Sequence, residues 1–457
     1  MVLEKIAVGV TMANRWTDPT ALLITFLGGG LVLTPLVEAY LLIYHGLLAA
    51  LAPPLLIAAF YKLVFLQTPA ADTKKFLEFK DKQLEARWAK NKIPMHILVE
   101  EFLKDHVAFK GDVLEVLDKH RNEFIDWRPS WNLATFLIRQ AVPGLSSSFK
   151  DVKSTTTEIE LHYDQGNDFF NAFLGPMMIY TSGVYNGLEQ SHEQAQTNKL
   201  NMICEKLHLK KGQRMLDIGC GWGTLVRHAA SEFGARTIGV TLSKEGKKWC
   251  EQENKKAGLS EDKCKILHCD YREIPPSATD GQLFDRISAV EMAEHVGLAN
   301  FQIFLGTVKK MMKDDGMFFM QVAGLRKGSN WEDVQWGLFM SRYIFPGADA
   351  STPLYWYTKQ LEMAGLEVHS VENIGRHYSH TLHAWYDYFQ KNKNKPEIQQ
   401  YPASLRRLWD IFLAWSVIAA GQGSATCYQI ISHKNQYDFP RDIFCDSETA
   451  ERKTKML

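Results

Sequence analysis

Residues 213–223 read QRMLDIGCGWG, a short apolar strand over 215–218 that runs into Gly219, Gly221 and Gly223 and then a helical pattern over 224–233. This strand, turn and helix constrain the chain more than any other feature, because they open a doubly wound α/β sheet. The glycines permit a tight turn and let backbone amides approach a ligand, and the N-terminus of the helix behind them favours a carboxylate or phosphate. The spacing is GxGxG rather than GxGxxG. The next strand, 237–240, ends in Thr241, Leu242 and Ser243, with no acid to bind the ribose of a nicotinamide dinucleotide, so dinucleotide binding is disfavoured. Asp217, just before the turn, either orients the glycine loop or the ammonium of an amino-acid cofactor, or caps local amides. Strands are predicted over 265–268, 286–290 and 317–322, with a helix over 298–312. Asp270, Tyr271 and Arg272 follow the third strand at the carboxyl edge, where an adenine finds an acceptor and an aromatic face.

At 457 residues the chain exceeds one ordinary domain, so a catalytic domain of about 250 residues with accessory segments is expected. Lys plus Arg (52) equals Asp plus Glu (52) and no long block of one sign occurs, which argues against a nucleic-acid partner. The seven cysteines are scattered without a CxxC pair, so neither a metal site nor a disulfide framework is indicated and the catalytic domain reads as facing a reducing cytosol.

After an N-terminal tail, 1–19, the segment 20–67 is apolar with few interruptions, chiefly Glu38, His45 and Lys62. Its length suits a transmembrane two-helix hairpin turning near 37–40, since one span needs roughly 20 residues. Lys74, Lys75, Lys80, Lys82 and Arg87 would hold the following side in the cytosol. A buried hairpin in a soluble protein is the alternative, and Pro53-Pro54 keeps a re-entrant insertion open. Phe76, Leu77, Leu84 and Trp88, then Ile97, Leu98, Phe102 and Leu103, recur at helical spacing and predict an amphipathic helical neck over 68–154. A polar loop near 146–157 separates it from a catalytic domain at 155–395, and 396–457 reads as a helical segment, with a helix over 405–420, and a tail.

The motifs HYDQGNDFF from His162, MIYTSG from Met178, LDIGCGWG from Leu216, GVTLS from Gly239, EMAEHVG from Glu291 and YIFPG from Tyr343 together resemble the cyclopropane-fatty-acid synthase family of S-adenosylmethionine-dependent methyltransferases. Within it, FKGDVLEVL from Phe109, FLGPMMIYTSG from Phe173, QWGLFMSRYIFPGADASTP from Gln335 and QGSATCYQI from Gln422 are similar to fungal-type sphingolipid C9-methyltransferases. The resemblance implies a Rossmann-like sheet with helical lid segments. It also implies S-adenosylmethionine held by Tyr180, Thr181, Leu216, Asp217, Ile218, Gly219, Cys220, Gly221, Trp222, Gly223, Thr224, Thr241, Leu242, Ser243, Tyr271 and Arg272. Gly246 stands where relatives often have a glutamine for the ribose. The implied substrate is the eight-unsaturated sphingoid base of a ceramide or glucosylceramide, reached by a membrane-bound enzyme of the endoplasmic reticulum or Golgi. In the synthases a bound bicarbonate serves as base. Glu294 and Tyr378 match its acid and tyrosine ligands, Gln321 replaces a histidine, and Ser182 replaces a cysteine that acts through its amide. Gln321 can hydrogen-bond an anion but carries no countercharge. Ser416 aligns with a C-terminal cysteine of the synthases, while Cys427, further on, reads as buried.

An alkene is a feeble nucleophile, so methyl transfer to it needs positioning in a dry pocket and then stabilisation of a carbocation. Tyr180, Tyr185, Trp336, Tyr343 and Phe345 are candidates for aromatic stabilisation, each equally readable as core. His295 is either a proton shuttle or a satisfied polar residue. Three other readings stay open: N-methylation of a small amine, cyclopropane synthesis on acyl chains, and a tethered binding protein. The apolar anchor favours the lipid.

Overall fold

The structure, a computed structural model, describes residues 35–37, 68–128, 166–326, 330–345 and 352–445. The expected hairpin at 20–67 therefore lies outside the described residues apart from a short helical piece at 35–37, and the polar boundary at 146–157 lies outside them altogether. Among the described residues no helix is long and apolar enough to cross a membrane. The chain divides into two units, 1–143 with 326–339, and 144–325 with 340–457.

The first unit differs from the expected helical neck. Strands β1 (Leu77–Phe79), β2 (Ile93–Pro94), β3 (Val107–Phe109) and β4 (Ile125–Asp126) form two small sheets, β1 antiparallel to β3 and β2 parallel to β4, and the described residues of this unit add the helices Lys82–Trp88, Met95–Leu103, Val113–Phe124 and Trp331–Phe339. The helical spacing that joins Phe76 and Leu77 to Leu84 is broken at Asp81, whose side chain accepts from the Leu84 amide at 2.8 Å and starts helix Lys82–Trp88 there. Leu77–Phe79 ahead of that cap are extended, and Leu77 buried beside exposed Glu78 is the two-residue period of a strand. Arg121 pairs with Glu332 at 2.8 Å, tying helix Val113–Phe124 to helix Trp331–Phe339.

In the second unit seven strands form one sheet: β5 (Arg214–Ile218), β6 (Arg236–Thr241), β7 (Cys264–His268), β8 (Phe284–Val290), β9 (Met312–Leu325), β10 (Leu366–Asn373) and β11 (Ala425–Lys434), in the order β10-β11-β9-β8-β5-β6-β7. The five from β9 to β7 run parallel, and β11 is antiparallel to both neighbours. Alternation along β9 divides the core. Phe318 and Met320 pack with Leu216, Ile287 and Phe304 on one face, whereas Met317 and Phe319 pack with Leu200, Ile203 and Met215 on the other. Both faces are covered, which is why these strands read as continuous apolar runs.

Helix Ala403–Gly421 forms where the sequence predicts one, but the segment after it is more than a tail, because β11 inserts between β9 and β10 and completes the sheet. Gln429, Ser432 and His433 interrupt its apolar pattern and hide it from sequence reading. Helix Asn167–Leu174 is pinned to the C-terminal helices by rings. Phe173 lies 6.1 Å from Trp385 and 6.0 Å from Trp409, and Phe169 lies 4.9 Å from Trp409.

Candidate active site

The carboxyl ends of β5, β6, β7 and β8 open on one cavity of about 360 Å³. After β5 the chain turns sharply, and the Gly219 and Cys220 amides both donate to the Val240 carbonyl, at 3.0 and 2.9 Å, tying the turn to β6. Gly221 has φ +53, and a Cβ there would meet nothing within 4 Å. The backbone is bare on that side, as close approach to a ligand requires. Gly223 has φ +74 and would drive a Cβ to 2.8 Å from the Cys250 sulfur, so it too must lack one. The turn is also tied to the segment ahead of the sheet. Trp222 Nε1 donates to Asn167 Oδ1 at 2.8 Å, and Thr224 Oγ1 to the Met177 carbonyl at 2.9 Å.

Asp217 is buried at the end of β5 and accepts from Ser288 Oγ at 2.6 Å. Burial pushes its carboxyl up to about 7, against the pull of that hydrogen bond and of Lys199. Lys199 is itself buried, donates to Thr181 Oγ1 at 2.7 Å, and is pushed down to about 8 by burial. After β6, Ser243 Oγ accepts from the Gly246 amide at 2.9 Å and caps helix Lys244–Lys256. A Cβ on Gly246 would lie 3.2 Å from the Gly221 carbonyl, so this position is kept small by packing against the glycine turn and offers a ribose no side chain. After β7, the Tyr271 ring meets Phe304 edge-on at 5.5 Å. Of the residues expected to hold a cofactor, all but Leu216 and Gly223 line the cavity. Those two lie behind it, Leu216 in the core and Gly223 at the helix start.

A second constellation lies on the same wall. Glu291 follows the last residue of β8, lines the cavity and has φ +52, a conformation that side-chain-bearing residues rarely adopt. Its Oε2 accepts from the Tyr378 hydroxyl at 2.7 Å, and its Oε1 from Gln321 Nε2 at 2.6 Å, the Ser182 amide at 3.3 Å and the Cys427 thiol at 3.6 Å. The sequence groups Tyr378, Gln321 and the Ser182 amide around Glu294. In the structure they converge on Glu291, while Glu294, buried three residues on, accepts from the Ala323 amide at 2.5 Å. Glu294 lies in a tight helical turn, Ala293–His295, that begins two residues after Glu291, and the two acids meet different partners.

The remaining candidates scatter. Tyr180 lines the cavity, with Phe173 at 5.5 Å, Trp385 at 5.4 Å and Phe345 at 5.8 Å around it. His295 also lines it, and burial lowers the imidazole to about 4, so it is neutral at neutral pH. Tyr185 instead reaches toward His192, 3.3 Å away, Trp336 is buried in the first unit, and Tyr343 lies under the Arg342 guanidinium at 4.9 Å. Ser416 and Cys427 are both buried, and burial holds the Cys427 thiol well above its ordinary value, which makes it a poor nucleophile. Sequence reading missed Glu291 and Lys199. The former was within reach as the first acid of the EMAEHVG motif, whereas a lysine in helix His192–Lys206 carries no local mark of burial.

A family model for mycolic acid cyclopropane synthetase matches residues 150–430. A sphingolipid C9-methyltransferase of Komagataella phaffii is 42% identical over 381 residues, 82% of this chain and 77% of that protein. One of Candida albicans is 41% identical over 374 residues, 80% and 72% of the two chains. Among solved structures, a mycolic acid cyclopropane synthase complexed with SAH and CTAB has a TM-score of 0.56 at 22% identity, covering 61% of this chain and 98% of that one, a likeness of fold. The match over well more than half of its length, on a sheet whose carboxyl edge carries the glycine turn and a buried acid cluster, means that this chain belongs to the mycolic acid cyclopropane synthetase family.

Proposed function

We propose that this protein transfers a methyl group from S-adenosylmethionine to carbon nine of the eight-unsaturated sphingoid base of a ceramide or glucosylceramide, giving a 9-methyl branched base. The observation that carries this reading is the 42% identity to a sphingolipid C9-methyltransferase over 381 residues, a length well beyond the family-matched region. The lipid substrate and the apolar segment 20–67 support a membrane-associated enzyme of the endoplasmic reticulum or Golgi whose catalytic domain faces the cytosol.

The cavity fits the cofactor. Bare backbone at Gly221 and a buried carboxylate at Asp217 suit an amino-acid moiety, and Tyr271 offers its ring to an adenine. When bound, S-adenosylmethionine supplies a methyl group activated on a sulfonium. The protein's share is positioning and exclusion of water, and Tyr180 with its surrounding rings presents aromatic faces to a developing cation.

Asp217 gives this site a pH signature. Because its carboxyl is raised to about 7, it is largely protonated below that pH, and a cationic amine binds best to the ionised form. Affinity for S-adenosylhomocysteine should therefore rise as pH increases through about 7 and level off above it, while Asp217→Asn should bind about tenfold more weakly and lose the slope. Titration calorimetry across this range reads both.

The substrate is tested by expressing the full chain in a host that lacks methylated sphingoid bases and supplying methyl-deuterated cofactor. The protein should sediment with membranes, and the new lipid should be a branched, still unsaturated base retaining all three deuterons, since loss of the proton on carbon nine restores the alkene. Retention of only two would mean ring closure through the new methyl group. Absence of any modified sphingolipid would overturn the substrate.

A further inference from the structure

The bicarbonate that the synthases use as base has no place here. The donors expected to hold it, the Tyr378 hydroxyl, the Gln321 amide and the Ser182 backbone N–H, already surround the Glu291 carboxylate. Nor are these bonds reversible in sense. Lys206, which can only donate, bonds Gln429 Oε1 at 2.5 Å, and Gln429 Nε2 in turn donates to Gln321 Oε1 at 2.9 Å. That chain fixes the Gln321 amide with its NH₂ group toward the cavity wall, where it requires an acceptor. The pairing of Gln429 with Gln321 across β11 and β9 sets it in place.

The geometry points to the Glu291 carboxylate as a built-in base that stands where bicarbonate would and accepts the proton lost from carbon nine. The inference rests on the reading of this chain as an alkene methyltransferase. In the step, the sulfur–methyl bond breaks as the methyl–carbon nine bond forms. The carbon nine–hydrogen pair then becomes the new double bond, and the proton passes to a Glu291 oxygen. Three features separate this from a structural acid. Glu291 lines the cavity and holds a left-handed backbone conformation, a strain that clusters at functional sites. Among the described residues its hydrogen-bond donors are all neutral and none forms an ion pair with it. Burial also raises its carboxyl above the ordinary range, despite those donors and the more distant pull of Lys199, and so makes it a better base.

The test compares wild type, Glu291→Gln and Glu291→Gly in buffer stripped of carbon dioxide and in buffer with added bicarbonate. Wild-type turnover should be the same in both, and carbon-13-labelled bicarbonate should not bind the wild-type protein. Glu291→Gln should lose turnover about a hundredfold or more with affinity for S-adenosylhomocysteine unchanged. Glu291→Gly, which the positive φ tolerates, should also be inactive yet bind the labelled bicarbonate and recover turnover with it. Bicarbonate-dependent wild-type turnover, or bicarbonate bound equally by wild type and Glu291→Gly, would overturn the assignment. If the variants fail to fold, the two wild-type measurements alone decide it. Should no sphingolipid be methylated while the bicarbonate-binding pattern holds, the substrate reading fails and the carboxylate still occupies the anion site.

Discussion

Gly221→Val should abolish measurable binding of S-adenosylmethionine and its demethylated product while leaving the fold intact. Gly221 sits at φ +53, where a β-branched residue is strained by about 1–3 kcal/mol, a cost the seven-stranded sheet around it can absorb. Its Cβ position meets nothing within 4 Å, so the folded protein has room for the new side chain, and that room is the cavity itself. The valine methyls would stand where the backbone must approach the ligand, so the loss should exceed about a hundredfold in affinity, or about 3 kcal/mol. Titration calorimetry reads the affinity and circular dichroism the fold. Unchanged affinity in a folded variant would remove the glycine turn from the site.

Phe173→Ala should destabilise the second unit by about 3–5 kcal/mol, the range for deleting a fully buried aromatic ring. Phe173 has no exposed surface and stands among Phe170, Tyr180, Trp385 and Trp409, with ring centres 5.5 to 6.1 Å away. These rings come from three separate parts of the chain, so a cavity at their centre cannot collapse without moving all of them. Urea unfolding followed by tryptophan fluorescence should show the shift. Cofactor affinity should fall as well, because Tyr180, on the cavity wall, leans on the Phe173 ring. A variant as stable as wild type would mean that this cluster does not hold helix Asn167–Leu174 to the C-terminal helices.

What the sequence determined by itself was local in origin. The run from β5 through the glycine turn into helix Thr224–Glu232 is written in a short apolar run, three glycines and a 3.6-residue period, and the strands at 237–240, 265–268, 286–290 and 317–322 appear within five residues of their observed limits. Patterns of this kind follow from neighbouring residues alone. Where the pattern is broken by polar residues with distant partners, it fails. β11 is hidden because Gln429 faces Gln321 across the sheet rather than water, and in the first unit Leu77 departs from its helical spacing because one capping aspartate starts the helix after it, whereas Ile97, Leu98, Phe102 and Leu103 lie in helix Met95–Leu103 as their spacing predicts.

Only the tertiary structure decided which acid meets Tyr378 and Gln321. Glu291 and Glu294 lie three residues apart in one motif, while their partners lie 87 and 30 residues beyond Glu291. The choice between them turns on the register of β8, β9 and β11 and on a positive φ at the end of β8, which no property of the local sequence encodes. Periodicity survives errors of a residue or two, but a buried carboxylate must meet its donors within about 3 Å, and that distance is set by the packing of the whole sheet.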